Sequence, residues 1–76
     1  MVDIKASFPH NLRVAMAHAD VKTAEDLAGV SGLSVYSVRN YLTGSSTPSL
    51  ENLATLALSL DCTPNDLLGV KAGEAA

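Results

Sequence analysis

The stretch TAEDLAGVSGLSVYSVRNYLTG, residues 23–44, contains two short helical patterns separated by a glycine turn. Thr23 can cap the first helix and Ser34 the second, because a hydroxyl accepts from the free N–H groups of a first helical turn. Gly32 can adopt the positive φ that a tight turn demands, and Gly44 ends the second helix as glycine commonly does. Two helices joined by about four residues including glycine form a helix-turn-helix unit.

The apolar spacing within this stretch supports the same interpretation. Val38 and Tyr41 are three residues apart, which places both on the inward face of the second helix. Leu27 and Ala28, followed by Val30, are expected to face inward from the first helix. Ala28 falls where the two helices approach closely and only a small side chain fits.

Three further helices flank this unit. The first is predicted from Pro9 to about Ala19, with Pro9 in the first turn, where its missing N–H costs nothing. The fourth follows the cap Ser49, and the fifth lies between the cap Thr63 and Gly69. The expected inward faces are Leu12, Ala15, Met16 and Ala19 in the first helix, and Leu50, Leu53, Leu56, Ala57 and Leu60 in the fourth. There is no strand signal. The predicted fold class is therefore all-α, a compact five-helix bundle whose second and third helices form the helix-turn-helix.

The length of 76 residues is enough for one small domain. The expected organisation is an N-terminal arm at residues 1–8, a helical domain at 9–69 and a flexible C-terminal tail at 70–76.

Composition excludes several classes of protein. No apolar run approaches the roughly 20 residues of a membrane span, and the N-terminus lacks the apolar segment of a secretory signal. The single cysteine, Cys62, excludes an internal disulfide and a cysteine-based metal cluster, and favours a reducing, cytoplasmic setting. No catalytic constellation or phosphate-binding glycine loop is present, so we expect no enzyme activity, no metal site, no cofactor and no small-molecule substrate.

The charge balance counts against a strong non-specific nucleic-acid binder. Eight acidic and five basic residues give a net charge of −3, whereas Lys and Arg supply most such affinity. The distribution of charge still matters more than its sum, and many of the acids fall in first helical turns, where the helix dipole favours them.

Residues 12–69 resemble the repressor/Cro-type (XRE-like, lambda-repressor-like) helix-turn-helix family. Residues 23–44 are similar to its central motif, and TPSLENLATLALSLDCTPNDLLG, residues 47–69, resembles its usual continuation. The resemblance implies operator recognition by a symmetric dimer. Three positions depart from the pattern: Ala24 stands where the family often has glutamine, and Met16 and Leu42 stand where it usually has an Arg–Glu pair. Replacing a buried ion pair by two apolar residues can be neutral or stabilising, because desolvation no longer has to be offset, so we expect this fold to tolerate the change.

The outward residues of the third helix are the candidate site. By family position, Val35, Tyr36 and Asn40 are aimed at base edges, since Asn can pair with adenine N6 and N7 and apolar groups can pack on a thymine methyl. Arg39 could read guanine or hold a phosphate. The alternatives are that Val35 and Tyr36 pack on a neighbour or dimer partner, and that Arg39 is a solvated surface charge. The candidate phosphate contacts are Lys22, Thr23, Ser34, Ser37, Ser45, Ser46 and Thr47.

The sequence thus predicts a DNA-binding transcriptional regulator, of phage or mobile-element repressor/Cro-like type, that binds a palindromic DNA operator as a dimer with the third helix in the major groove. The expected homodimer is weak and uses Leu67, Leu68 and Val70 with the exposed part of the fourth helix. The alternative is a protein–protein interaction module of the same fold that uses Val35 and Tyr36 as its contact patch.

Overall fold

A computed structural model describes the backbone of residues 4–69 and the side chains of residues 7–69. This part of the chain contains no strand. Its five helices are α1 (Ile4–His18), α2 (Ala24–Ser31), α3 (Val35–Thr43), α4 (Leu50–Ser59) and α5 (Pro64–Leu68). The predicted all-α class is confirmed, and the connections place α2 and α3 in a helix-turn-helix.

The four predicted caps start their helices as expected. The hydroxyl of Thr23 accepts a hydrogen bond from the main-chain N–H of Asp26, and Ser34, Ser49 and Thr63 do the same for the residue three positions on. The glycines that follow α2, α3 and α5 have φ values of 76°, 82° and 77°. A residue with a Cβ atom pays a steric cost at positive φ, whereas glycine does not. Local chemistry therefore fixes both ends of the helix-turn-helix.

Helix α1 begins earlier than predicted. It starts at Ile4, so Pro9 lies inside the helix rather than at its first position. The reason is Phe8, which is buried and extends the apolar face of Leu12 by one turn toward the N-terminus. This burial offsets the hydrogen bond that Pro9 cannot donate. Residues 4–8 of the predicted arm thus belong to α1, whereas residues 1–3 and the predicted tail at 70–76 lie outside the described residues.

The core lies between the five helices and is almost entirely aliphatic. The prediction of an inward-facing side chain is wrong for two residues: Val30 is 57% exposed and Leu50 is 85% exposed. Leu50 is the first residue of α4, at the edge of its buried face, and Val30 lies in the last turn of α2. Neither helix end reaches the core. The buried side chains are Phe8, Leu12, Ala15, Met16, Leu27, Val38, Tyr41, Leu53, Leu56, Ala57, Leu60 and Leu67.

Helix α3 is held by α1 and α4 through its inward face. The rings of Phe8 and Tyr41 meet edge to face, with centroids 6.4 Å apart. The side-chain amide of Asn52 donates a hydrogen bond of 3.0 Å to the Tyr41 hydroxyl, which ties α4 to α3. These contacts leave the opposite face of α3 directed outward.

Candidate nucleic-acid interface

The outward face of α3 carries all four predicted base-contacting residues. Tyr36 is 74% exposed, Arg39 is exposed, and Val35 and Asn40 are half-buried. Positions 35 and 39, and likewise 36 and 40, are four apart and therefore neighbours on the helix surface. The four positions therefore form one continuous patch on the surface of α3.

The main-chain carbonyl of Asn40 accepts the hydrogen bonds that end α3, and its side-chain amide remains available to a ligand. Its carbonyl accepts hydrogen bonds from the N–H groups of Gly44 and Ser45. Within the described residues, no hydrogen bond is made to its side-chain amide. The amide can therefore present a donor and an acceptor side by side, the arrangement that pairs with adenine N6 and N7.

Arg39 is not a free surface charge, because it forms an ion pair with Glu25 of α2. The guanidinium Nη2 donates to the carboxylate Oε1, and both side chains remain exposed. The pKa of Glu25 is lowered, first by a hydrogen bond from its own main-chain N–H and then by Arg39. Glu25 was missed as a site residue. Nothing local in the sequence links it to Arg39, since the pair depends on how α2 and α3 cross.

The hydroxyls near the helix starts are engaged within the protein. Thr23 accepts from the N–H of Asp26 over 3.0 Å. Ser34 accepts from the N–H of Ser37 and donates its proton to the Ser37 hydroxyl. The Thr23 hydroxyl also donates to the Glu25 carboxylate, which helps to lower the pKa of Glu25. The hydroxyl proton of Ser37 is left for an acceptor such as a phosphate oxygen. The structural role and the predicted phosphate role are thus compatible at Ser37, whereas Thr23 and Ser34 would first have to release their present acceptors.

The other predicted phosphate contacts lie in exposed positions on either side of α3. Ser45, Ser46 and Thr47 form the connection between α3 and α4. The Ser45 hydroxyl is 2.9 Å from that of Thr43. Lys22 precedes α2, and its ammonium lies 4.0 Å from an Asp20 carboxylate oxygen, with 76% of the Lys22 side chain exposed. So wide an exposure leaves this cation able to reach a ligand.

The departures from the family pattern lie along one open groove. Met16, Ala24 and Leu42 all line it. The α1–α3 contact that the family makes with side chains is made here by the guanidinium of Arg13, whose Nη2 donates to the main-chain carbonyl of Leu42 over 2.6 Å. Sequence reasoning missed Arg13, because a main-chain acceptor has no residue type to recognise.

The predicted dimer residues divide in the structure. Leu67 is completely buried within the subunit, so its assignment to the interface is wrong: it fills the core under α5. Leu68 is half-buried, and Val70 lies outside the described residues. Helix α4 presents Leu50, Ala54 and Leu58 to solvent, four residues apart, and we name these three residues the α4 stripe.

Two features typical of other functions are absent from the part of the chain that the structure describes. Among these residues, no group of three or more His, Cys, Asp or Glu side chains could hold a metal ion. Over the same residues, none of the helices has the length and apolar character required to cross a membrane.

Most of the chain matches a known family. Residues 11–73 match the family model of the Cro/C1-type HTH DNA-binding domain. No curated protein and no solved structure matches the chain.

Proposed function

Because the chain belongs to the Cro/C1-type HTH DNA-binding domain family, we propose that it is a sequence-specific transcriptional regulator of phage or mobile-element repressor type. It binds a palindromic operator as a weak homodimer in the cytoplasm, with α3 in the major groove. The proposal includes no catalytic activity, cofactor or small-molecule substrate.

The observation that carries this proposal is the outward face of α3. Asn40 presents an amide that has no partner among the described residues and suits adenine, and Tyr36 presents a widely exposed ring. Tyr36 and Val35 stand in the first turn of α3, and residues near the N-terminus of a recognition helix are those that reach base edges. Because Val38 and Tyr41 are buried in the core, the opposite face of α3 points outward.

Phosphate contacts come mostly from neutral groups in this proposal. Lys22 is the exposed cation beside the start of α2, and further contacts come from the hydroxyls of Ser37 and the loop at residues 45–47. Thr23 and Ser34 contribute once their hydroxyls turn from their acceptors within the protein. Phosphate contacts orient a protein on the duplex without carrying sequence information. Because each neutralised phosphate contributes to the salt dependence, we expect a shallow one, equivalent to about three to five phosphates per subunit.

The dimer surface combines Leu68 and Val70 with the α4 stripe. The order Leu50, Ala54, Leu58 is the same in either direction, so two antiparallel copies of α4 can match leucine to leucine across a two-fold axis. The small side chain of Ala54 would lie on that axis and allow close approach. Three residues form a small patch, which supports weak association in solution that tightens on DNA.

The experiment that tests this function is selection from a randomised duplex pool, followed by sequencing, at low and then at physiological salt. We expect recovery of a palindromic site whose half-sites are about one helical turn apart. Failure to enrich any site at low salt, with folded protein present, would overturn the proposal.

A second candidate function is favoured by two observations. The exposed Tyr36 ring gives a large apolar surface to a protein of net charge −3. In addition, the positive charge of Arg39 is already offset by Glu25. Both features suit a protein partner that packs on Val35 and Tyr36. Capture of such a partner, lost on Tyr36→Ala, together with failure of the duplex selection, would favour this interaction module.

A further inference from the structure

Arg39 is the only cation that the described residues place on the outward face of α3, and Glu25 of α2 binds it. A carboxylate beside a DNA-binding surface carries a cost, because it repels phosphate and lowers the net positive charge offered to the duplex. Because the Glu25 carboxylate lies against Arg39, we infer that control of the Arg39 charge outweighs this repulsion.

We propose that Glu25 is a specificity-determining residue, which holds Arg39 against α2 and offsets its charge until a correctly placed guanine displaces the carboxylate. The inference rests on the proposed DNA-binding function and deepens it. On random DNA, Arg39 stays paired and adds little to affinity. On the operator, Arg39 exchanges the Glu25 carboxylate for guanine O6 and N7 and adds to affinity.

The exposure of the pair makes this exchange feasible. Both side chains are 60% exposed, and exposed ion pairs are weakly coupled and screened by salt. Arginine can donate two parallel hydrogen bonds to guanine O6 and N7. A ligand that satisfies this geometry competes well with one carboxylate in water.

A purely structural role for the pair is the competing explanation. Helices α2 and α3 are already joined by the buried side chains of Leu27 and Val38 and by the turn at Gly32. A structural tie would affect stability when removed and would leave the discrimination between DNA sequences unchanged. The two roles therefore predict different results in a binding experiment.

The test compares Glu25→Gln with Glu51→Gln. Each glutamate is the second residue of its helix, each substitution removes one negative charge, and Glu51 makes no ion pair among the described residues. Affinity for a random-sequence duplex and for the selected operator is measured by fluorescence anisotropy across a salt series, after circular dichroism establishes that both variants fold.

We expect Glu25→Gln to bind the random duplex about five-fold more tightly than Glu51→Gln, and its log–log salt slope to steepen by about 0.9, the value of one added phosphate contact. The ratio of operator affinity to random-duplex affinity falls accordingly. In an Arg39→Gln background, Glu25→Gln should have no more effect than Glu51→Gln.

Equal random-duplex binding by the two single variants would overturn the inference while leaving the proposed function intact. An effect of Glu25→Gln that persists undiminished in Arg39→Gln would also overturn it, because Glu25 would then act by its own repulsion. Absence of duplex binding by the wild type and both variants would overturn the proposed function and this inference with it.

Discussion

The guanidinium of Arg13 donates a hydrogen bond of 2.6 Å to the main-chain carbonyl of Leu42. A residue of α1 thereby holds the last turn of α3, where helix carbonyls lack partners of their own. The family pattern joins these helices through an ion pair, whereas here Met16 and Leu42 are apolar and the charged contact is made to the backbone. The position of the candidate recognition helix thus depends on a side chain 29 residues away.

Arg13→Gln is expected to lower the free energy of unfolding, because the Leu42 carbonyl loses its charged donor. The decrease should be only about 1 kcal/mol, because the hydrogen bond is exposed to water. Urea denaturation monitored by circular dichroism measures the change. Lys22→Gln is the matched control: it removes the same charge from an exposed side chain that donates to no main-chain group within the described residues. Equal stability of the two variants would show that the Arg13 contact does not hold α3.

Two glycines three residues apart should respond to alanine with opposite sign. Gly29 lies inside α2 with open space around its Cα, so Gly29→Ala should stabilise the fold by about 0.5–1 kcal/mol through helix propensity. Gly32 has equally open space but a φ of 76°, so Gly32→Ala should destabilise by about 1 kcal/mol. Thermal unfolding of the two variants decides the matter, and a change of the same sign in both would contradict the positive φ at Gly32.

The titration of Glu25 should reveal its two partners. NMR of the side-chain carboxyl should give a pKa below the ordinary glutamate value, and Arg39→Gln should raise it without restoring it fully, because the hydrogen bond from the main-chain N–H of Glu25 remains. Since the folded-state pKa is depressed, the interaction stabilises the fold above the unfolded pKa and is lost as the pH falls through the folded value. A Glu25 pKa that is identical in wild type and Arg39→Gln would exclude the ion pair in solution.

The α4 stripe should govern self-association. Sedimentation is expected to show a monomer at low micromolar concentration and a dimer at higher concentration. Leu58→Gln, which removes a leucine that is 83% exposed, should abolish that dimer. Val14→Thr, a change at another exposed apolar residue on α1, should leave it unchanged. A tight wild-type dimer at low micromolar concentration, or a dimer insensitive to Leu58→Gln, would contradict the proposed surface.

Much of the fold could be predicted from sequence because its signals are local. A cap such as Ser34 and a terminator such as Gly44 act within one turn of the residues they satisfy, so helix number and most boundaries followed from spacing. The start of α1 was wrong because Phe8 is buried by helices far along the chain. The predicted inward placement of Leu50 was wrong, because apolar periodicity does not show where a helix extends past its neighbours.

The candidate site was less predictable. The outward placement of Tyr36 and Arg39 follows from the inward placement of Val38 and Tyr41, which periodicity gives. The partner of Arg39 does not follow from periodicity, because Glu25 reaches Arg39 only where α2 and α3 cross. The roles of these residues toward DNA stay predictions.

The central claim is that α3 reads bases through Asn40. Its most direct test is the affinity of the wild type, Asn40→Ala and Asn65→Ala for the selected operator, with each adenine replaced in turn by 7-deazaadenine, which lacks the N7 acceptor. At one adenine of each half-site, the replacement should weaken wild-type binding about five-fold or more. It should have no further effect on Asn40→Ala, and Asn65→Ala, changed at an exposed residue of α5, should behave as the wild type does. Losses of equal size in all three proteins at every position would contradict the claim.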